Sequence, residues 1–172
     1  MRIIKRKNRI VAGDTPGLTE SEADFTERSA TLNVLLYNES DYEEKEVGTV
    51  EELKEYKNRD EMIWINVDSV YDKETLINIG SIFDIHSLVL EDINNTDGRT
   101  KLEEYSDSLF TILKMISTKR AGKESYFQAE QVSIILRPGI VISFQEKEGD
   151  VFQPVRDRIK QNRGRIRRSG GD

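Results

Sequence analysis

The chain has 172 residues, 26 Lys and Arg against 32 Asp and Glu, a formal net charge of −6, one His and no Cys. That length holds one domain with a real core, able to bury about 70% of the surface an extended chain would expose. The absence of Cys excludes disulfides, thiolate nucleophiles and cysteine metal sites, and the acidic balance argues against a general nucleic-acid binder while remaining compatible with cation binding.

Met1 to Val11 carries Arg2, Lys5, Arg6, Lys7 and Arg9, too much charge for a secretory signal. Residues 1–30 hold Gly13, Pro16, Gly17 and then Glu20, Glu22, Asp24 and Glu27, with no apolar period. They are expected to form a flexible N-terminal tail, with the domain proper spanning 31–172. Thr31 to Tyr37 (TLNVLLY) reads as a buried strand, paired across a turn at Asn38 to Asp41 with Glu43 to Val47. Val50 to Lys57 has Val50, Leu53 and Tyr56 at helical spacing behind Thr49, with Glu52 three residues on, the pattern of a capping box. Met62 to Val67 (MIWINV) reads as a strand carrying the single Trp.

From Asp72 to about Phe83 the apolar residues Leu76, Ile79 and Phe83 share one helical face, and a second short helix is expected from His86 to Asn94. Lys101 to Ser117 reads as one long strand. Ala129 to Leu136 and Ile140 to Gln145 read as an antiparallel hairpin turned by Arg137-Pro138-Gly139. A final helix capped by Gly149 or Asp150 is expected to carry Phe152, Val155, Ile159 and Ile166, becoming basic through Arg156, Arg158, Lys160, Arg163, Arg165, Arg167 and Arg168. No run approaches the roughly 18 apolar residues that span a bilayer, so the chain as given is expected to be soluble. The alternation of strands and helices followed by an antiparallel block predicts an α/β fold: a mixed parallel/antiparallel sheet with helices on both faces, an α/β/α sandwich.

The candidate chemistry is sparse. Glu91 and Asp92 are adjacent near the end of the short helix, and Mg2+ often takes only one or two carboxylates while keeping its waters. Neighbouring helix residues point about 100° apart, so these two would join different ligand sets or form a solvated helix end. Glu103 and Glu104 fall on opposite faces of a strand; Glu51, Glu52 and Glu55 read as an exposed helix face; Glu146, Glu148 and Asp150 read as a polar loop before a helix. His86, at a helix start, reads as a cap or packing residue, and no nucleophile elbow or glycine-rich phosphate cradle accompanies it. The basic last helix could meet lipid or nucleic acid, but cations spaced two apart circle a helix instead of forming a stripe.

Several segments taken together resemble the CorA-type magnesium (divalent cation) transporter family. Trp64-Ile65-Asn66-Val67 is similar to its W-I-N/D strand, and Phe83 to Ile93 (FDIHSLVLEDI) to its F-x-I-H-P-L-x-L-E-D-I helix. Arg99 to Glu103 (RTKLE), Glu130 to Ser133 (EQVS), Phe144 to Glu146 (FQE) and Gly149 to Ile159 (GDVFQPVRDRI) match further segments in order. Ser87 and Thr100 stand where the family often has proline. The resemblance covers 31–172 and implies the cytosolic regulatory domain of a channel whose stalk and two membrane helices, with a Gly-Met-Asn pore motif, follow beyond this chain. It implies no enzyme activity and a homopentamer in the full-length protein, at the cytoplasmic face of the cell membrane. It further implies Mg2+ (with Co2+ or other divalent cations) bound at subunit interfaces, chiefly by Asp92 and also by Glu91. The facing carboxylates would come from later helices. The 172-residue chain alone is then expected to be a monomer or weak dimer, to bind Mg2+ poorly, and to touch membrane only through the part that follows. A related zinc transporter, a metal-dependent hydrolase and a free-standing interaction domain are the alternatives.

Overall fold

The computed structural model describes residues 30–121, 124–146 and 151–169. At its centre, two runs of β-branched and aromatic residues pair in parallel: β3 (Met62–Asp68) and β7 (Ile140–Gln145) align Ile63 with Ile140, Ile65 with Ile142 and Val67 with Phe144. Strands covered on both faces read as near-continuous apolar runs, and this pair does. β1 (Thr31–Tyr37) and β2 (Tyr42–Val47) extend the sheet on one side of β3. β6 (Glu124–Arg137), β5 (Leu109–Ala121) and β4 (Lys101–Glu104) extend it beyond β7, every pairing except β3 with β7 being antiparallel. Among the described residues the sheet order is β2-β1-β3-β7-β6-β5-β4.

One face carries Leu32, Val34, Leu36, Ile65, Phe110, Ile142 and Phe144. It packs against a 3-10 helix (Val50–Tyr56), α1 (Lys73–Ile82) and α2 (Ser87–Asn94), which contribute Leu53, Leu76, Ile79, Leu90 and Ile93. The other face is covered over β1 and β3 by α3 (Gln153–Lys160). There Ile159 packs with Leu35, Tyr37 and Trp64, and the Phe152 ring meets Trp64 edge-on at 5.3 Å. The expected mixed sheet with helices on both faces is the architecture found.

Local signals explain most elements. Glu52 accepts from the Thr49 N–H and hydroxyl, both at 3.1 Å, closing the start of the 3-10 helix. Gly139, at φ 77° after Pro138, makes the β6–β7 turn. Ala30, the one described residue of the expected 1–30 tail, donates its N–H to Asp72 Oδ2 at 3.2 Å; the rest of that tail lies outside the described residues.

Three expectations need correction. The single strand over Lys101 to Ser117 is two: Tyr105 to Ser108 turn the chain, with the Tyr105 N–H on Ser108 O at 2.8 Å, because a run of short polar residues favours a turn. The hairpin strand expected to start at Ala129 starts at Glu124. The last helix ends at Lys160 instead of running on through Ile166. Asn162 (φ 49°) and Gly164 (φ 72°) take left-handed backbone there, and the chain folds back so that the Arg167 guanidinium bonds Ile159 O at 2.7 Å and Lys160 O at 3.1 Å. The expected cap at Gly149 or Asp150 lies outside the described residues.

Candidate functional site

Both acidic residues singled out from the sequence lie on α2, and both ends of that helix are anchored. Before it, α1 ends in a Schellman turn: the Ile85 N–H bonds Gly80 O at 2.9 Å with Asp84 in left-handed backbone (φ 51°). The Arg137 guanidinium, from the end of β6, bonds the Phe83 and Asp84 carbonyls and so fixes this corner. Gly80 permits the close approach of α2, since a Cβ there would stand 2.4 Å from Leu90 Cδ1. His86 caps α2, its Nδ1 accepting from the Leu88 N–H at 3.2 Å, which is the capping role and not a catalytic one.

The C-terminal end of α2 is held by groups whose role the sequence does not reveal, although two of them lie in the EQVS and FQE segments. Gln131, on β6 and 1% exposed, donates its side-chain amide to Asp92 O at 3.2 Å and Ile93 O at 3.1 Å. Its carbonyl accepts from Lys114 Nζ at 2.9 Å, and Lys114 also bonds Thr96 O. A cation beside a helix C-terminus is favoured by the peptide dipoles. Burial lowers the Lys114 pKa, with the charges of Glu146 and Asp97 pulling the other way. Glu146, read from the sequence as part of a polar loop before a helix, is 8% exposed: its carboxylate accepts from the Gln131 N–H and the Tyr71 hydroxyl, each at 2.9 Å. The EQVS and FQE segments thus supply the scaffold that fixes the backbone of Asp92.

The Asp92 side chain points to the surface at 39% exposure, where Oδ2 lies 2.5 Å from Lys101 Nζ. The same ammonium bonds Glu103 Oε1 at 2.9 Å, and the Tyr105 hydroxyl donates to Glu103 Oε2 at 2.8 Å. Sheet register explains the meeting: Lys101 pairs with Ile112 and Glu103 with Phe110, both buried under α2, so alternation turns Lys101 and Glu103 to that face. Burial pulls the Lys101 pKa down, but the hydrogen bonds and charges of Asp92 and Glu103 outweigh it and the net movement is upward. The Lys101 hydrogen bond, helped by Tyr105, holds Glu103 below the usual carboxylate range. Glu91 is half-buried, and its carboxylate has no partner among the described residues.

The donors are hard oxygens of the kind Mg2+ selects, and one or two carboxylates suit an ion that keeps its waters. Among the described residues no three His, Asp or Glu side chains converge on one point. Such donors would suit a hydrated ion held in part by other groups, and among the described residues they form no closed cage. A separate cleft of about 190 Å3 lies between His86, Val89 and the Tyr105 to Ser108 turn, with Arg137 on its wall; neither Glu91 nor Asp92 lines it. Of the basic residues expected to circle the last helix, Arg156 and Arg167 are buried. Arg156 lies over the Trp64 ring and pairs with Glu44, which also pairs with Lys160. No helix among the described residues is long and apolar enough to cross a membrane.

The family described as "CorA-like Mg2+ transporter protein" matches residues 59–171. The chain belongs to this CorA-like family. The cobalt/magnesium transport protein CorA of Thermotoga maritima is 38% identical over 141 residues, covering 82% of this chain and 40% of that protein. The solved full-length CmaX protein matches with a TM-score of 0.60 at 11% identity, over 83% of this chain and 42% of the other. The ZntB cytoplasmic domain of Vibrio parahaemolyticus matches with a TM-score of 0.56 at 11% identity, over 80% and 52%. At such identity these two likenesses concern the fold alone. The chain spans about two-fifths of the length of the Thermotoga relative. The CorA-like family is one of transporters, not enzymes, which removes the hydrolase alternative.

Proposed function

We propose that this chain is the cytosolic, metal-sensing regulatory domain of a CorA-like magnesium/cobalt channel, and that Asp92, with Glu91 beside it, supplies its half of Mg2+ sites formed between subunits of a homopentamer at the cytoplasmic face of the membrane. The observation that carries this reading is the placement of Asp92. Its backbone is fixed by a buried glutamine at a helix end while its carboxylate stays at the surface. A residue so held can meet a facing subunit with little loss of freedom on binding. With a divalent ion bound, facing carboxylates are neutralised and subunits stay together. When cytosolic Mg2+ falls, like-charge repulsion biases them apart, which couples an ion site to a distant pore.

Isothermal titration of the 172-residue chain with MgCl2 tests the assignment. Sparse carboxylate donors give weak binding, roughly millimolar, and Asp92→Ala weakens it further. Tight stoichiometric binding, or titration of Asp92→Ala indistinguishable from the parent, contradicts the assignment.

A further inference from the structure

We propose that Lys101 is a tethered competitor for the divalent cation at Asp92, and that its ammonium sets how much Mg2+ the sensor needs. The inference rests on the reading of Asp92 as the metal-binding carboxylate. Lys101 Nζ bonds Asp92 Oδ2 at 2.5 Å and Glu103 Oε1 at 2.9 Å, so one cation bridges two anions. The residue is constrained as well as paired. Its carbonyl accepts from the Thr111 hydroxyl at 3.0 Å, its ammonium lies 5.2 Å from the Phe110 ring centre, and its side chain is only 26% exposed. A lone surface lysine would leave its partner easily; this one projects from a strand hydrogen-bonded to β5, with Glu103 holding its ammonium beside Asp92.

The consequence is electrostatic. An incoming divalent cation meets an oxygen already bonded to an ammonium. Either Lys101 gives up Asp92 and retains Glu103 alone, or it stays and repels the ion at close range. Both routes weaken apparent affinity without removing a metal ligand. Glu103 acts in this account as the anchor that keeps Lys101 within reach, not as a metal ligand.

Titration of the 15N-labelled chain with MgCl2 at constant ionic strength, followed at the Asp92 and Lys101 amides, tests it. Lys101→Met keeps the aliphatic stem beside Phe110 and removes the charge; Lys101→Gln is a second neutral variant should Met perturb the fold, which the amide spectrum reports. Both neutral variants should bind Mg2+ about tenfold more tightly than the parent, a modest share of the unscreened repulsion. Lys101→Arg, which keeps the charge, should stay near the parent. If the neutral variants bind no more tightly while Asp92→Asn loses binding, Lys101 is no competitor and the Asp92 reading stands. If Asp92→Asn titrates as the parent does, or if the parent and the neutral variants all fail to titrate, both ideas fall.

Discussion

Gln131→Leu is the substitution that should most directly loosen the frame behind Asp92. The two side chains differ in volume by less than a methylene, so at a site only 1% exposed the packing change adds to the loss but does not dominate it. The hydrogen bonds do change. Leucine strips donors from the Asp92 and Ile93 carbonyls and an acceptor from Lys114 Nζ. Each neutral bond is worth about 0.5–1.5 kcal/mol net, and a bond to a charged group about 1.5–3 kcal/mol. Lys114 keeps Thr96 O, and leucine gains some apolar burial, so the net loss should be about 2–4 kcal/mol. Urea unfolding followed by circular dichroism would read this as a lower midpoint at unchanged slope. In a chain of this size the melting temperature should drop by about 2–4 °C per kcal/mol. A Gln131→Leu variant within about 0.5 kcal/mol of the parent would refute the view that this amide holds the end of α2.

Trp64→Phe removes the buried donor to Ser143 Oγ (2.9 Å), whose hydroxyl donates in turn to Asn66 Oδ1 at 2.7 Å; urea unfolding should show a loss of about 1–3 kcal/mol. Gly164→Ala meets no neighbouring atom but forces a side chain onto left-handed backbone at φ 72°, so calorimetry should show a destabilisation of about 1–2 kcal/mol, with no loss if the turn relaxes freely. Burial raises the Asp72 pKa, but hydrogen bonds from the Thr75 and Ala30 N–H groups and the Thr75 hydroxyl outweigh it, and the folded value lies below the usual one. Its contribution is therefore present above about pH 4 and lost as pH falls through the depressed folded value. The stability gap between the parent and Asp72→Asn, followed by thermal melts, should narrow on acidification below about pH 4, and a constant gap would contradict the linkage.

Strands such as Thr31 to Tyr37 and Met62 to Val67 were legible as compact, mostly apolar runs, and Asp72 and His86 marked where α1 and α2 start. The turn at Tyr105 to Ser108 was hidden because the apolar residues of β5 follow it so closely that the segment reads as one run. The break after Lys160 was signalled by Asn162 and Gly164, both tolerant of left-handed backbone, but the apolar spacing of Ile159 and Ile166 argued for continuing the helix. Of the site, Glu91 and Asp92 were visible as adjacent acids. Lys101, Gln131 and Glu146 fell within the RTKLE, EQVS and FQE segments, but their roles and that of Lys114 were not legible, since each acts through a strand register or a contact many residues away. The acidic count alone could not tell that Asp92 already faces a cation, nor that Glu146 is an interior residue serving Gln131.

The central claim is that Asp92 reports cytosolic Mg2+ to a pore. Ion flux through a channel that carries this domain, reconstituted in liposomes and measured against Mg2+ on the cytosolic side, addresses it directly. Rising Mg2+ should close the parent channel, and Asp92→Asn should need severalfold more Mg2+ for the same closure while its open-state flux is kept. Closure of Asp92→Asn at the same Mg2+ as the parent would contradict the account.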